Sequence, residues 1–358
     1  MLSICLLLIL LSIAIMQIMA FHPHLIAKSK LALTSSPTSN HISHPRFPSK
    51  SALAMAIIGP VRYNTNDWID CLWTWPTSRI LRRTLPHISF FTLWTTFLTI
   101  IYHSKKITWS LPSTIHSILG SVLSLLLVFR TNSSYDRFWE GRKSWGQVIM
   151  SCREIATLTY THIPTSYHLQ IASLLVTFSI VFKQHIQSDR ISSELLPYLS
   201  LKEIQKIQSY RNRPLFILRQ LQELIHQALH EKYSNSMEAT LHEHAFHEAL
   251  HVLNSQVATC ERIVKQPIPL AYSRHTSRFL SLYLFTLPFS MLTQLKWVTI
   301  FAVMAIGWSM VCIQEIGHFI EEPFNKKTQI IPLNQMTGVI RLDVSGKMLI
   351  FEINVIII

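Results

Sequence analysis

Four apolar stretches constrain this chain more than any other feature of its sequence. They are His87–His103, Leu111–Phe129, His168–Phe182 and Phe279–Ile320. A helix needs about 20 apolar residues to cross the hydrocarbon core of a typical bilayer. The first two stretches are near that length, and the last exceeds it. None of the stretches alternates apolar and polar residues as a strand would. Their length and apolar character therefore predict membrane helices.

Composition agrees with a chain that has lipid as part of its solvent. Only 14% of the residues are charged, against about 25% in typical soluble domains. The mean hydropathy is +0.28 over the whole chain. We therefore expect an integral membrane protein that crosses the bilayer several times.

Two of the apolar stretches leave alternatives open. His168–Phe182 is short, so it is either a third span or a buried core helix. Phe279–Ile320 is interrupted by Pro288 and by Thr293–Lys296, so it is either a re-entrant hairpin or one long helix leaving the membrane. From Lys183 to Ser277 the chain is polar, and Gln220–Ser236 and Ser236–Glu261 within it have helical periodicity. The expected fold class is all-α, with about four membrane helices and a soluble helical bundle.

The first 60 residues are predicted to be a targeting leader outside the folded domain. Residues 1–20 are apolar and uncharged, and no acid occurs before Asp67. The basic, Ser-rich and acid-free composition of residues 21–66 is typical of an organelle transit peptide. A secretory signal, a true membrane anchor and an error in the gene boundary are the alternatives.

The net charge of +13 and the cysteines exclude some classes of protein. Five basic residues precede Asp67, which leaves a net +8 for the remainder. No glycine-rich phosphate-binding motif and no base-reading motif is present, so a nucleic-acid partner is not expected. The five cysteines are far apart and odd in number, which argues against a disulfide framework or a cysteine zinc site.

Three motifs carry a resemblance to a known family. Residues 130–146 read RTNSSYDRFWEGRKSWG, Ile268–Ser273 read IPLAYS, and Gly317–Phe324 read GHFIEEPF. Together they resemble the bestrophin family of anion channels, and in particular its plant and bacterial members. The resemblance covers residues 61–336, which we take as the channel domain, and it leaves 337–358 as a divergent C-terminal tail.

The resemblance implies a homopentamer with one central pore for chloride and other small anions, and no enzyme activity. No cofactor or resident metal is implied, since chloride is only the permeant ion. The acid-free leader fits the chloroplast branch, whose members lie in the thylakoid membrane as multi-pass proteins. Such a channel would be voltage-dependent and would balance charge passively during proton pumping. The resemblance implies a polar helix at the C-terminus, but residues 338–358 do not look like one. A retained intron or a variant ending would explain this difference.

Placing the signature on the family pattern puts Thr114, Ile118 and Val122 at the pore neck. They are four residues apart and share one helix face, and hydrophobic rings can gate by dewetting. Packing against neighbouring helices or lipid is the alternative. Arg130 would draw anions to the pore mouth, or would form a salt bridge to Asp136 or Glu140. The remaining signature residues are expected to be structural: Tyr135, Asp136, Arg137, Trp139, Glu140 and Arg142. The four charged ones among them can pair along one helix at spacings of three and four residues.

Two further motifs concern metals. Animal bestrophins carry a string of acids after the Pro-Phe of the last motif, which forms a calcium clasp. Asn325–Thr328 (NKKT) stands there instead, and calcium needs six to eight oxygen ligands, so calcium gating is not expected.

His247–His251 (HEALH) matches the zincin motif HExxH and would make a membrane zinc protease the alternative function. It lacks a recognisable third ligand, which a catalytic site requires. We interpret it as a solvated helix face, with an adventitious or regulatory metal as the alternative.

Overall fold

The computed structural model describes residues 78–105, 110–189, 193–233 and 236–356, so the predicted leader lies outside the described residues. Within these ranges every regular element is helical, which confirms the all-α prediction. The helices are α1 Arg79–Lys105, α2 Ser113–His162, α3 Thr165–Ile186, α4 Leu201–Ser209, α5 Arg213–Lys232, α6 Ser236–Lys265, α7 Leu270–Leu295, α8 Thr299–Glu321 and α9 Leu333–Ile356. Among the residues that the structure describes, four segments are long and apolar enough to cross a membrane: Arg79–Ser104, Ser113–His162, Thr165–Ile186 and Leu270–Glu321.

The described residues form two compact units. The first comprises residues 78–105, 110–116 and 282–315. In it, the Trp94 indole stacks on Phe285 with ring centroids 4.4 Å apart and donates to the Phe285 carbonyl at 3.1 Å. Arg83 and Glu315 form a salt bridge at 2.9 Å. These contacts join α1 to α7 and α8.

The fourth apolar stretch forms a helical hairpin and not one long helix. A short 3-10 turn at Lys296–Val298 separates α7 from α8, and Lys296 has a φ of 49°. A Cβ added at Gly307 would lie 3.8 Å from the Leu284 side chain, which brings the two helices side by side. Pro288 remains inside α7, so the turn and not the proline ends that helix.

The second unit is a helical bundle containing residues 117–189, 193–233, 236–281 and 316–356. Trp145 and Phe182 are fully buried at its centre, and their rings stack 5.1 Å apart. Fourteen of the 22 residues of α3 are buried. Of the two alternatives for the third apolar stretch, a third span or a buried core helix, the structure therefore favours the core helix.

Helix α2 runs for 50 residues without a break. At about 1.5 Å per residue it is about 75 Å long, more than twice the ~30 Å thickness of a bilayer core. The second apolar stretch was expected to end at Phe129, but the helix continues, and the prolines nearest to it, Pro112 and Pro164, lie outside its ends. With no helix breaker in between, the signature lies in the helix interior.

The C-terminal tail begins inside a helix. Leu333, Met336, Ile340 and Val344 of α9 are buried in the bundle core, and their spacing of three or four residues defines one helix face. Asp343 forms a salt bridge to Arg153 of α2 at 2.6 Å. The expected boundary at 336/337 therefore falls within α9, whose first turns pack as part of the bundle.

Candidate functional site

An apolar row on α2 is exposed in the single chain. Ile118 is 62% exposed and Val122 is 47% exposed, and the row continues through Leu125 and Phe129. Leu123, on another face of the same helix, is fully buried. One face of α2 thus packs within the subunit. The exposed row is available to contact lipid or another subunit, or to line a pore.

The exposed row carries no formal charge. From Ser113 to Phe129 the sequence contains no Asp, Glu, Lys or Arg. The Ser121 and Ser124 hydroxyls donate to the carbonyls of Ser117 and Gly120, one turn earlier. These hydroxyls are satisfied by the helix itself. Since the row contains no charged side chain, its surface is electrically neutral and consists mainly of hydrocarbon. Thr114, the third predicted neck residue, is also exposed.

Arg130 follows the last residue of this row and is buried, with 4% of its surface exposed. Its Nη2 atom is 3.8 Å from Glu321 Oε2 at the end of α8. The prediction that Arg130 pairs with Asp136 or Glu140 is wrong, because its acidic partner, Glu321, comes from a distant part of the chain. A buried guanidinium beside a carboxylate is screened from a passing anion, so the subunit does not present Arg130 as a free cation.

Arg137 binds the ends of two other helices. Its guanidinium donates to the carbonyls of Ile263 and Gln266 at 2.5 Å each and to that of Glu321 at 3.2 Å. The last carbonyls of a helix lack intrahelical partners, and a cation there also interacts favourably with the negative end of the helix dipole. Arg137 therefore joins α6 and α8 to α2.

The other signature residues divide between contacts and exposed surface. Glu140 forms a salt bridge with Arg262 of α6, so the expected pairing along α2 is wrong for both Arg137 and Glu140. Tyr135 and Trp139 are exposed and stacked, with ring centroids 6.5 Å apart. Asp136 is exposed and Arg142 is half-buried. The aromatic pair offers an apolar surface to lipid or to another subunit.

Gly141 is a site residue that sequence reasoning missed. An added Cβ would lie 2.9 Å from the Phe324 ring and 3.3 Å from Ile331. The segment after α8 therefore approaches α2 so closely that an added methyl group would force the Phe324 ring to shift. Glycine weakens a helix unless packing needs it, but α2 contains Gly120 and Gly146 as well, so the sequence alone did not single out Gly141.

A family model described as "Bacterial/Fungal Bestrophin protein" matches residues 61–345 of this chain. The chain belongs to the bestrophin family. The prediction made from the three motifs is thereby confirmed. The match extends through the first turns of α9, in agreement with their burial in the bundle.

Several relatives and solved structures resemble this bestrophin. A voltage-dependent anion channel-forming protein of Nostoc sp. is 35% identical over 238 residues, which are 63% of this chain and 76% of that protein. Voltage-dependent chloride channel 2, chloroplastic, of Arabidopsis thaliana is 29% identical over 265 residues, 70% of this chain and 62% of that protein. The crystal structure of a bacterial bestrophin homologue from Klebsiella pneumoniae superposes with a TM-score of 0.68 at 25% identity, covering 76% of this chain and all of that one.

In this bestrophin, the segment that follows Pro323-Phe324 carries a lysine, Lys326, that forms a salt bridge. The Lys326 ammonium lies 2.9 Å from Asp189 Oδ2. The Asp189 carbonyl accepts two hydrogen bonds from Arg213, both at 3.1 Å. A fixed cation thus already neutralises the carboxylate that faces this segment.

The HEALH sequence lies on an exposed face of α6. His247, Glu248 and His251 are all exposed, and Glu248 lies 3.8 Å from His244 of the same helix. Within the described part of the chain, no third metal-binding group comes within reach of this pair. The geometry therefore favours the solvated face over a catalytic zinc site.

Proposed function

We propose that this bestrophin is an anion channel that conducts chloride passively across the chloroplast thylakoid membrane. The observation that carries the proposal is the neutral, exposed row of Ile118 and Val122 on a helix long enough to cross a bilayer. The printed names of the Nostoc and Arabidopsis relatives support the same class of activity. In this proposal the protein acts without an enzymatic step and balances charge during proton pumping.

The channel would be a pentamer with α2 lining the pore. Five copies of Ile118 and five of Val122 would form two apolar rings about 6 Å apart, from four residues at about 1.5 Å each. An anion must lose part of its water to pass, and apolar rings let it pass without holding it. Thr114 would lie beyond Ile118 on the same face. We do not assign anion attraction to Arg130, because Glu321 neutralises it.

Conduction is tested with purified protein in a planar bilayer separating asymmetric potassium chloride solutions. We expect the reversal potential to lie near the chloride equilibrium potential and open probability to change with voltage. A reversal potential that follows the potassium gradient would rule out the anion channel. Native mass spectrometry of the same sample is expected to give five chains per complex.

The thylakoid location rests on the acid-free leader and on the chloroplastic relatives. The test is import of the full-length chain into isolated chloroplasts, followed by separation of envelope, stroma and thylakoids. We expect a shortened product in the thylakoid fraction. Recovery in the envelope, or no import at all, would overturn the location without affecting the conduction result.

We predict that the currents do not depend on calcium. The Lys326 ammonium is bonded to Asp189, and a bound cation there would have to displace a fixed charge of the same sign. Bilayer currents should be equal in calcium chelator and in micromolar free calcium. A several-fold activation by micromolar calcium would contradict this prediction.

A further inference from the structure

Three metal-binding side chains meet where α5 and α6 lie side by side. His226 and His230 are exposed on α5, and Glu243 is half-buried on α6. One possible ligand atom from each lies within 4.8 Å of the others. His226 Nδ1 is 2.9 Å from Glu243 Oε1, and His230 Nε2 is 3.9 Å from Oε2.

The spacing explains why the two imidazoles lie close together on α5. Residues four apart on a helix are neighbours on one face, and the two rings have centroids 4.4 Å apart. The carboxylate of the neighbouring helix then closes the third side. This arrangement cannot be read from the sequence around either histidine, because Glu243 belongs to another helix.

We propose that His226, His230 and Glu243 bind a divalent transition metal ion, with zinc as the best match. Zinc takes imidazole nitrogens and carboxylate oxygens in tetrahedral sites, with bonds of about 2.0–2.2 Å. Ligand atoms in such a site lie about 3.3 Å apart, so small rotations of exposed side chains suffice. Water fills the fourth position. Calcium and magnesium do not fit, since they require mostly oxygen ligands.

The bound ion joins α5 to α6 across the bundle surface. A ligand that binds only the folded state stabilises that state by mass action. Zinc therefore resists separation of this helix pair, and its removal loosens the pair without disturbing the apolar core. This role is independent of the anion pathway on α2.

The chain contains its own matched control. His247 and His251 are also exposed, four apart and on one of the same two helices. They have a glutamate between them, but no carboxylate of a second helix closes their site among the residues that the structure describes. The sequence motif selects this pair, whereas the geometry selects His226 and His230.

The test uses full-length protein made without a polyhistidine tag, stripped with chelator and dialysed against zinc chloride. We expect about one zinc per chain by elemental analysis. The double variant His226→Ala/His230→Ala should lose it, and His247→Ala/His251→Ala should retain it. Glu243→Gln should bind at least about tenfold more weakly, since even partners outside the coordination shell are worth about 10–100-fold.

Two results would overturn the proposal. One is no zinc above background in the wild-type protein, and the other is an equal loss of zinc in both double variants. If His226→Ala/His230→Ala does not assemble, Glu243→Gln decides the matter, because it keeps the side chain's shape and removes its charge. Unchanged zinc affinity in Glu243→Gln then counts against the site.

Discussion

The two halves of α2 each carry apolar residues at alternating steps of three and four, but in opposite environments. Ile118, Val122, Leu125 and Phe129 recur at steps of four, three and four, and all are exposed in the single chain. In the second half the matching row begins at Trp145 and is fully buried among helices of its own subunit. That row consists of Trp145, Val148, Cys152 and Ile155. Helical periodicity therefore shows that a face is apolar, but it does not show what covers that face.

The largest expected effect belongs to the buried half. Trp145→Ala removes a fully buried ring that stacks on Phe182, and such truncations cost about 3–5 kcal/mol of folding free energy. We expect most of the protein to be lost as aggregate when detergent-solubilised samples are heated and analysed by size-exclusion chromatography. If Trp145→Ala were as heat-stable as wild type, the contrast between the two halves of α2 would fail.

Glu321→Gln tests the charged pair between the two halves. Removing one partner of a buried ion pair leaves the other uncompensated, and we expect a loss of about 3 kcal/mol, the lower end of the usual range because the Arg130 contact is 3.8 Å long. Glu315→Gln is the matched control on α8, since Glu315 pairs with the more exposed Arg83. Surface pairs are worth about 0–1 kcal/mol. Equal heat stability of the two variants would contradict the burial of Arg130.

Gly141→Ala tests the close approach of Phe324 to α2. The added methyl group would meet the ring at 2.9 Å, and overpacking of this kind costs about 1–3 kcal/mol. Gly146→Ala is the control on the same helix, because no described atom lies within 4 Å of an added Cβ there. It should stabilise the helix by about 1 kcal/mol. The two variants should therefore shift the thermal midpoint in opposite directions, and a shared direction would refute the close contact.

The smallest effect on stability is expected from Ile118→Ala and Val122→Ala. An exposed side chain has few packing partners, so the change in folding free energy should be about 0.5 kcal/mol or less. If these residues form the neck, the shorter side chains wet the constriction, and single-channel conductance or open probability rises. Variants that assemble poorly and conduct as wild type would show that the row packs against other subunits and that the pore lies on another face.

Sequence alone was sufficient where the information is local. The apolar stretches predicted the helices that are long enough to cross a membrane, and the RTNSSYDRFWEGRKSWG run identified the family. The spacing of Ile118 and Val122 placed both on one helix face, and both are exposed on α2. Each of these inferences depends on residues within a few turns of one another, which is the range over which helical periodicity acts.

The tertiary structure decided which distant groups meet. Arg137 was expected to pair along its own helix, but it binds carbonyls as far away as Glu321, 184 residues later. The Glu243 carboxylate selects His226 and His230, whereas the motif had selected His247 and His251. Side chains on neighbouring helices come together only when the helices pack, and that packing is set by burial over the whole bundle. The sequence therefore determined the helices, their apolar faces and the family, and only the packed bundle determined their partners.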